Sequence, residues 1–309
     1  MNAEASIDSI RRESFRDLFR VPQVVDFARW VILSSYTECT PGVEPQTAAL
    51  LETAFAHLTG SCTDPRRFQE SIEYLVKDVF RKPEPDFWLN KIYHHYKQTI
   101  KPLRRYSHLE PYLKGSRVLD LGCGDGLTSA ELSRRGYRVS LTDVIDYRDE
   151  DVRDLPFRLM SDPTRIPYSN EGFDTVLIMA VLHHVLEEDL LPLLADLRKT
   201  GARLIVEEDC YVAPEDLLDV QERRAIDVQL ERFLSLSVEN QFRYLMFIDF
   251  FANAINQGNA EMEIPFNFRT VSGWKELFAS CGFQLSQTLV LGFQKGNFNR
   301  SCHVWYVLD

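Results

Sequence analysis

One stretch limits what this chain can fold into more than any other: residues 117–126, which read RVLDLGCGDG. Val118, Leu119 and Leu121 form a short apolar run that suits a buried strand. Gly122, Gly124 and Gly126 then permit a turn that side chains would block. The next residues have helical spacing, with Leu127, Ala130 and Leu132 apolar and Gly136 placed to stop the helix. Strand, glycine turn and helix in succession predict an α/β fold. They also predict a ligand site, because bare backbone admits a nucleotide-like group and a helix start offers N–H groups without partners.

Spacing selects the ligand. A dinucleotide fingerprint requires glycine at position 127, where Leu127 stands. The pattern here is Asp-x-Gly-x-Gly-x-Gly, which closely resembles motif I of the class I S-adenosylmethionine-dependent methyltransferases. The resemblance implies that Gly122, Cys123, Gly124 and Gly126 lie against the methionine part of S-adenosylmethionine, and that Asp120 helps to hold its charged amino group. A glycine turn serving only as a tight connection remains the plain alternative.

The chain beyond this motif alternates strands and helices. Residues 137–143 read as a second strand ending in Asp143, an acid able to accept both ribose hydroxyls of an adenosine cofactor, with Val144 beside it. Residues 161–168 resemble the family's Gly-Asp-Ala-x-x-Leu-Pro-Phe segment, whose acid faces the adenine amino group. Asp162 matches that acid. Ser161 and Pro163 depart from the pattern, and Pro163 has no N–H to donate. Residues 172–185 form a nearly continuous apolar strand running into Leu-His-His-Val, similar to the strand-four motif of small-molecule methyltransferases of the ubiquinone-biosynthesis type. That similarity implies that Met179 and Ala180 border the cofactor. His183 or His184 is then a candidate to take a proton from the methyl acceptor. Residues 202–209 are a fifth strand ending in Glu207, Glu208 and Asp209, placed to bind a cationic substrate or act as base, or simply to form a solvated acid cluster. Two last strands, 283–291 and 301–308, complete a Rossmann-like seven-stranded sheet whose order in this family is 3-2-1-4-5-7-6, the last strand antiparallel.

The resemblance covers residues 111–309, with an insertion at about 211–268 that family members use to build a substrate pocket or a dimer surface. Residues 1–110 read as a helical cap or lid. Val24, Val25, Phe27, Ala28, Val31 and Ile32 recur at helical spacing, and Pro83 and Pro85 should end the third helix. Tyr93, His95 and Tyr96 lie on an aromatic helix that packs a core or lines a substrate pocket. Lys97, Lys101, Arg104 and Arg105 read as a solvated basic face. Asn267 and Arg269 are further pocket candidates, before a late helix containing Trp274.

Composition narrows the partners. A formal charge of −11 over 309 residues argues against a general nucleic-acid binder. The six cysteines show no C-x-x-C pair and no metal-ligand spacing, so reduced thiols and no metal are expected. The first residues have no targeting character and no apolar run reaches membrane-spanning length, so a cytoplasmic, non-membrane monomer or homodimer is expected. The reading implied is a methyltransferase acting on an O, N or C nucleophile of a small metabolite in a biosynthetic pathway. The alternatives are an enzyme of the same fold and cofactor doing a non-methylating reaction, and a non-catalytic cofactor-binding partner protein.

Overall fold

A computed structural model describes residues 15–309 except 83, 85–86, 169–170, 218–219, 221–227, 259–263, 295–296 and 299. Pro83, Pro85 and the first residues of the chain therefore lie outside the described residues. The helices are α1 (Pro22–Cys39), α2 (Glu44–Ser61), α3 (Pro65–Tyr74), α4 (Trp88–His95), α5 (Lys101–Leu109), α6 (Leu127–Arg134), α7 (Glu187–Lys199), α8 (Val228–Leu234), α9 (Val238–Phe250) and α10 (Val271–Ser280). Wider π-helical turns extend α3, α4 and α9, at Leu75–Phe80, Tyr96–Ile100 and Phe251–Asn256. Local chemistry sets several starts. Asp64 accepts from the N–H groups of Arg66 and Arg67 ahead of α3, Ser237 caps α9, and Thr270 caps α10.

The strands are β1 (Arg117–Leu121), β2 (Arg138–Asp143), β3 (Phe157–Leu159), β4 (Thr175–Met179), β5 (Arg203–Tyr211), β6 (Arg269–Thr270), β7 (Leu285–Gly292) and β8 (His303–Leu308). They form one sheet in the order β3-β2-β1-β4-β5-β8-β7, with the two-residue β6 paired to β5. Strands β3 to β5 along this path are parallel, and β8 runs antiparallel to β5. With β6 set aside, this is the expected seven-stranded order. Strand β6 is too short for its sequence to have announced it.

Two compact units divide the chain without following its order. The first comprises the residues up to His94 together with Cys210–Phe268 and Gly292–Cys302; the second comprises His95–Asp209, Arg269–Leu291 and His303–Asp309. In the second unit Val118, Leu141, Leu177, Ile205 and Trp305 make one buried cluster on the face covered by α5 and α6. Every residue of β4 is buried, as a central parallel strand requires. Each such aliphatic side chain contributes about 2 kcal/mol on burial.

The first unit is built from aromatic rings. Phe27 of α1 meets Tyr244 of α9 edge-on at 4.7 Å and Phe293 at 5.9 Å, while Phe55 of α2 stacks on Phe247 at 5.4 Å. Its one fully buried arginine, among the described residues, is Arg300, which contacts Glu38 Oε2 at 2.5 Å and Gln229 Oε1 at 2.9 Å. Among the described residues no helix is long and apolar enough to cross a membrane.

Candidate functional site

The glycine turn has three positive-φ glycines with different neighbours. A β-carbon on Gly122 would stand 2.5 Å from Val181 Cγ2, and one on Gly126 would stand 2.7 Å from Val152 Cγ1. A β-carbon on Gly124 would meet nothing within 4 Å. Gly122 and Gly126 are thus required by packing, and Gly124 borders open space. The Gly124 N–H donates to Asp143 Oδ2 at 2.9 Å, and the Val144 N–H donates to the other oxygen at 2.7 Å. Asp143 therefore ties the end of β2 to the bare side of the turn. Burial raises its pKa, against the backbone N–H groups that favour the carboxylate. Cys123 is half-buried within the turn, and Val144 is exposed beside Asp143.

Asp120 is 4% exposed, and its Oδ2 accepts from Ser129 Oγ of α6 at 2.6 Å. Burial lifts its pKa to about 6, with Ser129 and Arg105 pulling the other way. The residues that follow it in the turn end with Asp125, which accepts from the Leu127 N–H and meets Lys101 Nζ at 3.2 Å and Lys97 Nζ at 3.6 Å. Burial alone would raise Asp125, but the two ammonium groups overcome it and hold the carboxyl at about 2. The basic residues ahead of β1 are consequently no solvated face. Side chains of Lys97, Lys101 and Arg105 are 25%, 21% and 20% exposed, because carboxylates lie opposite them.

Strand β4 ends at Met179, buried, and at Ala180, whose φ of 62° is unusual for a residue with a side chain. The Ala180 N–H donates to the Glu207 carbonyl at 2.8 Å, which holds this conformation in place. Met179 and Glu207 are register partners on β4 and β5. Alternation along β5 sends Glu207 and Asp209 to one face and Glu208 to the other. Glu208 is fully buried and accepts from His183 Nδ1 at 2.6 Å, the Leu182 N–H at 2.7 Å and the Val181 N–H at 3.2 Å. It clasps the loop after β4 and sets the tautomer of His183, which is itself 1% exposed. His184 is half-buried, its ring 4.3 Å from that of His183.

Glu207 lies on the opposite face. Arg105 Nε approaches Glu207 Oε2 at 3.6 Å and His303 Nδ1 approaches Oε1 at 3.5 Å, and Oε2 has no hydrogen-bond partner among the described residues. His303 stands across from Asp209 in the β5–β8 register, with Nδ1 2.7 Å from Asp209 Oδ1. Burial works against its imidazolium, but the two carboxylates overcome burial and raise its pKa. The three acids are thus buried and engaged, Glu207 and Asp209 with His303 on one face and Glu208 with His183 on the other, rather than a solvated cluster.

The remaining expected residues are scattered. Asp162 is exposed and bonds locally to the Thr164 N–H at 2.9 Å and to Thr164 Oγ1 at 2.6 Å, and Pro163 follows it at the surface. Tyr96 is buried and His95 exposed, while Tyr93 packs edge-on with Phe298 at 5.9 Å. Asn267 is buried in the first unit, and Arg269 pairs with Glu187 at 2.6 Å in the second. Sequence reasoning missed Ser129, Arg104, Arg105, His303 and Trp305. The arginines carried no local signal, because only tertiary packing sets Glu207 opposite α5. His303 and Trp305 carried none, because only the β5–β8 register brings them to Glu207 and Asp209.

Residues 119–203 match the family model described as Methyltransferase domain. The ubiquinone biosynthesis O-methyltransferase of Xanthomonas euvesicatoria pv. vesicatoria is 32% identical over 128 residues, 35% of this chain and 49% of that protein. The tRNA U34 carboxymethyltransferase of Pseudomonas fluorescens is 29% identical over 212 residues, 62% of this chain and 63% of that protein. The chain spans about half the length of the ubiquinone-biosynthesis relatives it matches. Among solved structures, magnesium protoporphyrin IX methyltransferase from Synechocystis PCC 6803, with S-adenosylhomocysteine bound, is 15% identical with a TM-score of 0.41, over 78% of this chain and 98% of that one. The matched segment begins within β1 and holds the glycine turn, Asp143 and the end of β4. Over this segment the chain is similar to methyltransferase domains.

Proposed function

We propose that this protein transfers the methyl group of S-adenosylmethionine to an O, N or C nucleophile of a small metabolite. The observation that carries the reading is the bare side of Gly124, open to a ligand, with its N–H held by the acid that ends β2. Gly42, Gly136 and Gly201 are equally open, and what sets Gly124 apart is the strand-end acid bonded to its N–H. In this reading Gly122, Gly124 and Asp143 hold the cofactor, and Met179 and Ala180 border it. When bound, the cofactor supplies a sulfonium-activated methyl group, for which the protein's task is alignment and exclusion of water. A proton on the nucleophile would pass to Glu207, whose Oε2 meets Arg105 Nε at 3.6 Å and has no hydrogen-bond partner among the described residues. His183 is assigned a positioning role, holding the loop after β4 through Glu208.

The net charge of −11 and the likeness to ubiquinone-biosynthesis O-methyltransferases favour a small acceptor. Likeness to a tRNA carboxymethyltransferase over a longer stretch keeps tRNA as the contrasting acceptor. The test is calorimetric titration with S-adenosylmethionine and S-adenosylhomocysteine, on the native protein and on Asp143→Ala, followed by mass spectrometry of a metabolite panel and of bulk tRNA. Binding that the substitution abolishes, with a methyl gain in a metabolite, is the expected result. Modification of tRNA alone would refute the small-molecule reading, and no binding of either cofactor form would refute the whole.

A further inference from the structure

On the face of the sheet under α5, three side chains hold buried polar atoms with no hydrogen-bond partner among the described residues. They are Arg104 (Nε and Nη1), Glu207 (Oε2) and Trp305 (Nε1). Trp305 is 1% exposed and Glu207 5%. The two are register partners on β8 and β5. Arg104 acts electrostatically on His303, two residues before Trp305, and His108, one turn along α5 from Arg104, packs edge-on against the Trp305 ring at 5.9 Å. These groups therefore belong to one patch.

The charges of this patch do not balance. His303 is paired with Asp209 at 2.7 Å, and Arg105 reaches Glu207 at 3.6 Å. Among the described residues Arg104 has no carboxylate of its own, and its one hydrogen bond there is a 3.5 Å contact from Nη2 to Tyr96 Oη. Buried donors left unmatched beside a surplus cation call for an acceptor that carries negative charge. Glu207 Oε2, which meets Arg105 at 3.6 Å without a hydrogen bond, has the capacity to accept from a donor.

We infer that Arg104 and the Trp305 N–H bind a carboxylate of the methyl acceptor, while Glu207 receives the O–H or N–H that is to be methylated. The acceptor class is thus a small hydroxy- or aminocarboxylic acid. This rests on the methyl-transfer reading and narrows it. The carboxylate of the cofactor's own amino-acid portion is the competing source. Position argues against it: β8 stands three places from β1 in the sheet, about 14 Å at ordinary strand spacing. It is Arg105, rather than Arg104, that acts on Asp120 beside the glycine turn.

The experiment uses the full chain loaded with S-adenosylhomocysteine. It titrates a panel of aromatic and aliphatic hydroxy- and amino-acids, each alongside its primary amide, and then assays turnover of those that bind. Acids should bind at least about tenfold more tightly than their amides, the usual effect of losing one charged hydrogen-bonding partner. Arg104→Gln should raise the acid's KM by about tenfold or more, erase the acid-to-amide preference and leave S-adenosylhomocysteine affinity within about twofold. Arg104→Lys should restore part of the preference. Trp305→Phe, which keeps the ring and removes the N–H, should weaken the acid by about threefold. Equal binding of acids and amides, or absence of any acid binding to the loaded protein, would overturn the inference while leaving the methyl-transfer reading intact. Loss of S-adenosylhomocysteine affinity in folded Arg104→Gln would overturn it too, by assigning the arginine to the cofactor. Failure of the native protein to bind S-adenosylhomocysteine would remove the underlying reading instead.

Discussion

At the scale of single residues, the three glycines of the turn separate packing from binding. Gly124→Ala adds a methyl group to open space, so its structural cost is the left-handed backbone alone, about 1–2 kcal/mol. Gly126→Ala adds the same methyl 2.7 Å from Val152, and a core that must shift loses further stability. Gly124→Ala should therefore melt only a few degrees low yet lose S-adenosylhomocysteine binding by calorimetry, whereas Gly126→Ala should melt well below it. A Gly124→Ala protein that binds normally would contradict the assignment of the bare side. Asp120 gives a second residue-scale prediction. Its folded pKa of about 6 lies above the unfolded value of 3.8, so the native state holds the proton more firmly and loses stability as pH rises between those values. The effect is on the order of 3 kcal/mol. Asp120→Asn cannot titrate, so its stability deficit relative to the native protein should be largest near pH 4 and smallest above pH 6, measured by urea unfolding. A deficit that does not change with pH would rule out the buried, proton-hungry carboxyl. The same residues show what the sequence made legible. Glycine spacing and the acid after β2 read directly from local rules, while the bond from Ser129 to Asp120 depends on how α6 lies over β1, which periodicity does not specify.

Among the elements, α5 is where sequence and structure part most clearly. Its cations alternate with apolar residues in a way typical of a solvated surface, and only the strand order places Asp125 and Glu207 opposite them. Tertiary context decided the matter, and a local pattern cannot carry it. Sheet order, by contrast, was implied by the family resemblance of the motifs from residue 117 onward, with which right-handed strand-helix alternation agrees. In the helical unit an ion pair joins α1 to the segment before β8. Arg300 is wholly buried, and removal of one partner of a buried pair costs about 3–5 kcal/mol. Glu38, at the end of α1, is part-exposed, so Glu38→Gln should cost less than Arg300→Ala. Thermal melts of both variants check this, and an Arg300→Ala protein as stable as the native one would show that the contact contributes nothing.

Across the whole molecule, the helical unit is assembled from three separated stretches of chain. Helix α9 packs its aromatic face on α1, so residues 95–309 alone would carry that face uncovered. Expressed by themselves, they should aggregate or elute as large oligomers on size exclusion, and a well-behaved monomer would show that the helices before His94 are dispensable. The interleaving also has a consequence during synthesis. Helices α1 to α3 leave the ribosome more than a hundred residues before their partners in Cys210–Phe268 and Gly292–Cys302, a wait of roughly 10 s or more at ordinary elongation rates. Throughout that interval the nascent chain bears an unpaired aromatic surface, which makes it a natural client for chaperones that hold emerging chains, and makes slow translation a hazard to its yield.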